Sequence, residues 1–412
     1  MKQTKNDYRI IIRDREGKYI QYMDEFISLY MYIKLNDVGK WTLKNKTKSE
    51  CPLQPGGGII VYRNDVFIYS GLLKKVESEY NREQKCWEWV ASGVSDLDYL
   101  KHHLIHPDAD NAYPMEMTNR YADYLTGNFD CLATAVGLIN DNLNSTYWSP
   151  IDFIRADGDV TTYESIKLPP TRFRFDNLFD VIVDILTIGK GAIYPKWENN
   201  ILTLYVRNQR DLTDTIQFDA TQEYVKSVKH IIQAPPYNQV VMSYNRTFLN
   251  TSGTPLIVVE DPDFWKFWDW QPTYTEAGLW GVMQKHFEPN DEDFVYTFTW
   301  RKLQELTLAE SNKVNPYVDG YSIVLGNSPI APQYKIHYEL GDIVKIILPD
   351  GQEINHVMTE ITYNIAYGEE SITSNAGTYT YGFDTDDKGG IYRLNKTLSK
   401  FIKQQSINEA QW

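Results

Sequence analysis

The sequence predicts a β-rich α+β fold, with two barrel-like β domains and a small α+β domain between them. Three observations carry this. Short runs of alternating apolar and polar residues sit between turn residues, as half-buried strands do. β-formers are abundant, with 30 Tyr, 16 Phe and 11 Trp alongside plentiful Val, Ile and Thr. Helical periodicity of 3.6 residues is concentrated in the middle of the chain. The 412 residues suit two or three domains at roughly 150 residues each. The expected organisation is a first β domain at 1–105, an α+β domain at 106–220, a second β domain at 221–385 and a C-terminal amphipathic helix at 386–412. An aromatic-rich insertion at about 250–300 and a crossing helix at 303–314 belong to the second β domain.

Three hairpins are expected in the first hundred residues. Tyr8, Ile10 and Ile12 alternate with Arg9 and Arg13, and Arg15-Glu16-Gly17-Lys18 turns the chain toward Tyr19 and Ile20. Gly56-Gly57-Gly58 precedes Ile59 to Tyr62, and Arg63-Asn64-Asp65 returns the chain into Val66 to Gly71. Asn and Asp tolerate the left-handed backbone that such turns require. The third pair of arms is Leu72 to Tyr80 and Cys86 to Ala91, with a polar loop at 81–85. Consecutive hairpins predict a meander closing toward a barrel or sandwich.

The middle segment changes period. Asp130 can cap a helix through Leu132, Val136, Leu138 and Ile139. Asp176 can cap another through Phe179, Val181, Ile182, Ile185 and Leu186, which Gly189 ends. Phe173 and Phe175 alternate before the second helix. Ala192 to Tyr194 and Ile201 to Val206 form a hairpin turning at Glu198-Asn199-Asn200. These features define the expected α+β domain.

Strands resume after residue 220. Gln239 to Tyr244 reads as one, and Tyr334, Ile336, Tyr338 and Leu340 alternate with Lys335, His337 and Glu339 as another. Gly341-Asp342 turns into Ile343 to Leu348, and the alternation from Val357 to Tyr367 gives a long last strand. Leu303 to Val314 has helical spacing.

Charge and cysteine content restrict the function. Lys and Arg number 41 against 55 Asp and Glu, a net charge of −14, which opposes wrapping of nucleic acid because binding phosphates requires cations. Three widely spaced cysteines, Cys51, Cys86 and Cys131, fit neither a disulfide framework nor a zinc pair and suit a reducing folding compartment. The N-terminal apolar run is three residues, well short of a signal peptide's apolar region. No stretch approaches the roughly 18 apolar residues of a membrane span, and LFDVIVDILTIG is interrupted by Asp180 and Asp184. A soluble protein with no stable membrane insertion is expected.

Several motifs, taken in order, resemble the start of siphophage tail-tip or baseplate hub proteins. They are Tyr8 through Asp24-Glu25-Phe26, Gly39-Lys40-Trp41-Thr42-Leu43, Gly57 to Arg63, Ser70-Gly71 and Ala91 to Leu97. The likeness continues with Arg174-Phe175-Asp176-Asn177-Leu178, the helix near 305 and Tyr338 to Val344, covering most of 8–367. It implies a phage tail hub-like fold and a structural homotrimer of the virion tail tip, made in the host cytoplasm. Two barrel-like domains per subunit would form a pseudo-sixfold ring continuing the tail tube. The implied partners are the distal tail protein, the tail tube and tape-measure protein, and a tail fibre, spike or receptor-binding protein. DNA would pass through the exit channel without specific binding, past a lumen to which a share of the acidic residues is expected to turn. Many members of this group carry a long C-terminal extension for cell-wall digestion or receptor binding; here the sequence runs about 45 residues past the last expected strand, and no enzymatic role is expected.

No catalytic residue, metal site or cofactor is assigned from sequence. His102 and His106 have the i, i+4 spacing of a zinc-binding helix, but His103 stands where a metalloprotease needs Glu. A histidine cluster at a helix end is the preferred reading. Asp384 to Gly389 begins like a calcium loop, yet Lys388 replaces an oxygen ligand and Asn395 stands where Glu belongs, so a polar turn is expected. Ser95 lies in Gly93-Val94-Ser95-Asp96-Leu97, which lacks the second Gly of a nucleophile elbow.

The sharpest rival is glycan chemistry. Glu260-Asp261-Pro262-Asp263 and Asp291-Glu292-Asp293 flank Phe264 to Trp270, whose Trp265, Trp268 and Trp270 could stack on sugars. Hydrolysis would require two carboxylates about 5 to 9.5 Å apart. The preferred reading is that the three tryptophans anchor an interface. A carbohydrate-binding adsorption protein and a cell-wall glycoside hydrolase are the alternatives. Leu394, Leu398, Phe401 and Ile402 form an apolar stripe beside Arg393, Lys396, Lys400 and Lys403, a second candidate interface with symmetry mates or an acidic partner, the alternative being a helix that lies on its own barrel.

Overall fold

The computed structural model describes residues 7–105, 124–126, 130–143, 151–158, 171–173, 176–233, 239–242, 245–249, 255–260, 266–269, 294–297, 303–305, 318–326, 328 and 330–377. The chain forms two compact units, one of Met1–His230 with Tyr321–Gly377 and one of Ile231–Gly320 with Thr378–Trp412. The expected boundary at 105/106 falls inside the first.

The first unit begins with seven strands: β1 (Tyr8–Arg13), β2 (Tyr19–Met23), β3 (Ser28–Lys34), β4 (Lys40–Thr47), β5 (Gly58–Arg63), β6 (Val66–Asn81) and β7 (Cys86–Ser95). A one-turn helix, α1 (Asp98–Lys101), follows. The three expected hairpins are present, but β6 is one 16-residue strand that serves two of them, pairing with β5 and β7. Asn64 and Asp65 turn β5 into β6 with φ of 50° and 63°, the left-handed pair a tight two-residue turn demands. A register shift between Ile12 and Arg13 changes the alternation of β1. Arg13, expected among the solvent-facing residues, is fully buried.

The middle segment contains β8 (Tyr124–Thr126), α2 (Cys131–Leu143), β9 (Ile154–Gly158), β10 (Thr171–Phe173), α3 (Leu178–Ile188), β11 (Gly191–Glu198), β12 (Ile201–Asn208) and β13 (Gln217–Asp219). β11, β12 and β9 make a small sheet, with β9 parallel to β12. Leu138 and Ile139 of α2, Ile182 and Ile185 of α3, and Leu202 and Leu204 of β12 are all buried. Asp130 caps α2 as expected, its Oδ1 accepting from the backbone N–H of Leu132 at 2.8 Å and Ala133 at 3.0 Å. The cap of α3 is Asn177, not the neighbouring Asp176. Asn177 has extended backbone angles, and its Oδ1 accepts from Asp180 N–H.

β14 (Val225–Gln233) leads out of the first unit. The second unit contains β15 (Gln239–Met242), β16 (Asn245–Leu249), β17 (Pro255–Glu260), β18 (Lys266–Asp269), β19 (Phe294–Thr297) and β20 (Leu303–Glu305). They form two three-stranded antiparallel sheets, β18-β15-β20 and β17-β16-β19. The crossing helix expected at 303–314 is corrected at its start. Leu303, Gln304 and Glu305 pair with Val241, Val240 and Gln239, and cross-strand pairing overrides the local spacing. Residues 306–314 lie outside the described residues.

The chain returns through β21 (Val318–Leu325), β22 (Ile343–Ile347), β23 (Glu353–Ala366) and β24 (Glu369–Gly377). β23 pairs with β3 over seven residues, from Glu360 opposite Lys34 to Ala366 opposite Ser28. The segments expected as separate β domains therefore share one sheet of 13 described strands. Its main path is β14-β21-β24-β23-β3-β4-β7-β6-β5-β1-β2. The sheet rolls, because Arg63 of β5 and Tyr8 of β1 both bond Glu370 of β24. No described helix is long and apolar enough to cross a membrane.

The expected strand at 334–340 is instead a tight turn. Lys335 takes φ of 67° and donates its backbone N–H to Tyr338 O at 2.8 Å. Tyr334, Tyr338 and Leu340 are buried as their spacing suggested, but they reach the core from a turn.

Candidate functional site

A group of buried ionic contacts holds the first unit together, and the largest group lies where the turn at 334–342 meets the β11–β12 hairpin. Arg207 of β12 sends Nε to Glu339 Oε2 at 2.9 Å and Nη1 to Asp342 Oδ1 at 2.8 Å. Its Nη2 donates to Leu340 O at 2.9 Å. Arg210 forms a two-pronged pair with Asp342, at 3.0 and 2.6 Å. Lys335 Nζ meets Glu339 Oε1 at 2.7 Å and lies 3.4 Å from the centre of the Tyr194 ring. Three cations thus face two carboxylates.

Burial sets the electrostatics. The Lys335 side chain is only 9% exposed, and loss of hydration pulls its amine down to about 8, with Arg207 adding to the effect against the opposing pull of Glu339. Burial alone would raise Glu339, but Lys335, Arg207 and Arg210 together hold its carboxyl below the usual range. The Tyr194 phenol is pushed up by burial and by Glu339.

Two further anchors join the rolled sheet to the middle segment. Asp96, fully buried after β7, pairs with Arg13 Nη2 at 2.5 Å and accepts from Trp197 Nε1 of β11 at 2.6 Å. The Arg13 guanidinium lies over the Trp197 ring at 4.5 Å. Asn36, in the β3–β4 turn with φ of 49°, offers its amide as a substitute peptide. It donates to Gly191 O at 2.9 Å and accepts from Ile193 N–H at 3.0 Å.

The residues singled out in sequence fall mainly elsewhere. His102 follows the end of α1, with Nε2 3.1 Å from Asp98 Oδ2, and Asp98 also receives Lys74 Nζ at 2.6 Å. Leu104 bridges to Asn177, so the chain is extended where helical His102–His106 spacing would be needed. His106 is outside the described residues. Ser95 is buried at the end of β7, beside an Asp96 already engaged by Arg13 and Trp197. Among the described residues, no group of three or more metal-ligating side chains occurs.

Trp268 lies on β18 opposite Val240, and Glu260 ends β17 opposite Asn245. Trp265, Trp270, Asp261, Asp263, Asp291 to Asp293, Asp384 to Gly389, Leu394, Leu398, Phe401 and Ile402 lie outside the described residues. Sequence reading missed the Arg207–Glu339–Asp342 cluster. Arg207 lies more than 130 positions before Glu339 and Asp342, and the three carry no local signal beyond Asp342 in the Gly341-Asp342 turn.

The family model described as Siphovirus ReqiPepy6 Gp37-like protein matches residues 9–378. Comparison with curated proteins finds no match. Among solved structures, the chain is similar to the 43 kDa tail protein of prophage MuSo2 from Shewanella oneidensis. That match has 9% identity, covers 90% of this chain and 96% of that one, and has a TM-score of 0.51. It is also similar to the tail protein from Neisseria meningitidis MC58, at 10% identity, 93% and 98% coverage and a TM-score of 0.48. The prophage tail protein gp18 from Listeria monocytogenes EGD-e matches at 12% identity, 96% and 99% coverage and a TM-score of 0.46. The first of these carries the fold comparison.

Proposed function

This chain belongs to the siphovirus ReqiPepy6 Gp37-like protein family, and from that premise we propose that it is a structural protein of a phage tail, the hub of the tail tip or baseplate. The observation that carries the reading is a fold shared with a prophage tail protein along nearly the whole of both chains. Three copies would form a ring continuing the tail tube, each contributing barrel-like β segments from both parts of its chain. The ring would join the distal tail protein and the tape-measure protein to a fibre or spike, and DNA would leave through its centre.

The chemistry of the described residues supports a geometric role. The ionic clusters tie segments distant in sequence into one frame, and carboxylates such as Asp96, Asp342 and Glu370 are each matched to an arginine. Buried ion pairs favour one arrangement over others at a cost in solvation, a fitting trade for a part that must hold a ring in register. A net charge of −14 opposes adhesion of phosphates to the protein as a whole.

Antibody labelling of purified virions tests this reading. The expected result is label at the distal end of the tail, with tails absent or unjoined when the gene is deleted. Label elsewhere in the particle, or normal tails without the protein, would overturn it. Glycan binding by the purified protein would favour an adsorption role, and clearing of peptidoglycan suspensions would favour a hydrolase.

A further inference from the structure

We propose that the first unit holds a buried water site at the joint between the rolled sheet, the β11–β12 hairpin and the turn at 334–340. A cavity of about 40 Å³ lies there, lined by Leu35 after β3, Ile68 and Ser70 of β6, Ser95 of β7, Ile193 of β11 and Lys335 of the turn. One water needs roughly 10–15 Å³ of such space and two to four polar partners, so the volume admits about two or three. Organic ligands are excluded by size, since their pockets run to about 300 Å³ and more.

The polar partners are present. Ser70 is fully buried and Ser95 is 5% exposed, and neither Oγ has a hydrogen-bond partner among the described residues. The two come from one place in the sheet, because Ser95 pairs with Gly71, the residue after Ser70. Tyr69 also lines the cavity, is equally buried, and has a hydroxyl without a partner among the described residues. Lys335 brings a donor from the turn. Its ammonium has three N–H groups, of which Glu339 and the Tyr194 ring account for two.

A buried hydroxyl with no partner bears its full desolvation cost. A bridging water removes most of that cost, being enthalpically close to a direct hydrogen bond. Either serine turns its Oγ among three staggered positions by rotation about a single torsion, and the apolar lining from Leu35, Ile68 and Ile193 offers the water no competing partner. Through this bridge β6 and β7 are tied to Lys335, in addition to the anchors at Asn36 and Asp96.

A high-resolution crystal structure of the full chain, with denaturant unfolding of wild type, Ser70→Ala and Ser95→Ala, tests this. The expected density shows water within hydrogen-bond distance of both serine hydroxyls and of Lys335 Nζ. The two variants separate a bridged hydroxyl from an orphaned one by sign: removing a bonded hydroxyl weakens the fold, whereas removing an unpaired one relieves it. Each variant should therefore lower the folded-to-unfolded ratio about fivefold, the usual effect of losing one hydrogen bond. A cavity without water density would overturn the proposal, and so would serine variants that are both at least as stable as wild type.

Discussion

Arg63 and Glu370 are 307 residues apart in sequence and six strands apart along the sheet, yet their side chains meet as a fork. Arg63 Nε lies 2.7 Å from Glu370 Oε1, and Nη2 lies 3.1 Å from Oε2. In a flat sheet, six spacings of about 4.8 Å would separate them by about 29 Å. Their contact shows that the sheet has rolled until β5 faces β24. Tyr8 OH also bonds Glu370, so two strands close on one carboxylate.

Breaking this closure on one side should be costly. The Arg63 and Glu370 side chains are 10% and 7% exposed, so Glu370→Leu would strand a buried guanidinium. A loss of about 3–5 kcal/mol is expected in urea unfolding. The double variant Arg63→Met with Glu370→Leu should recover much of that loss, because neither charge is left unpaired. Equal losses in the single and double variants would assign the effect to packing instead.

Trp41 sits against two glycines, and this nest explains motifs whose purpose was opaque in sequence. Its Nε1 donates to Leu72 O at 3.2 Å. A Cβ at Gly93 would lie 2.5 Å from that nitrogen and overlap the Leu72 carbonyl oxygen. Gly93→Ala should therefore destabilise by at least about 1–3 kcal/mol, the usual range for overpacking. Denaturant unfolding followed by tryptophan fluorescence measures it, and a wild-type midpoint would contradict the assigned packing.

Lys335 predicts a pH dependence. Its folded pKa, about 8, lies below the ordinary lysine value of about 10.4. Between these values the unfolded chain holds a proton that the folded protein lacks, so this group makes stability rise with pH across that window. Below pH 8 both states are charged and the full cost of burial remains, about 3 kcal/mol at most. Lys335→Met should thus be at least as stable as wild type at pH 7, with a flatter stability profile from pH 8 to 10. Parallel profiles for the two proteins would contradict this.

The caps give a smaller effect. Asp130 accepts two backbone N–H groups at the start of α2, so Asp130→Ala should cost about 1 kcal/mol. Thermal unfolding measures the loss, and a wild-type midpoint would contradict the cap.

Local features were legible in sequence where one segment decides its own structure. Asn64-Asp65 and Asn199-Asn200 marked their turns through left-handed backbone, and the apolar spacing of Val181, Ile182, Ile185 and Leu186 marked the buried face of α3. Pairing between distant segments was not legible. Nothing near Ser28 indicates that β3 will meet β23, and nothing near Arg207 announces Glu339. Alternation at 334–340 predicts a strand, because burial of Tyr334, Tyr338 and Leu340 leaves the same pattern from a turn. The alternation of β1 places Arg13 toward solvent, because a register shift beside it leaves no trace in composition. The candidate site was the least visible part, since each of its ion pairs to Glu339 or Asp342 from Arg207 and Arg210 spans more than a hundred residues.

Imaging of the intact virion down the tail axis, at a resolution that separates subunits, tests the central claim most directly. The account predicts three copies of this chain encircling an axial passage at the tail tip. One copy, a position away from the axis, or a number of copies that does not close a threefold ring would contradict it.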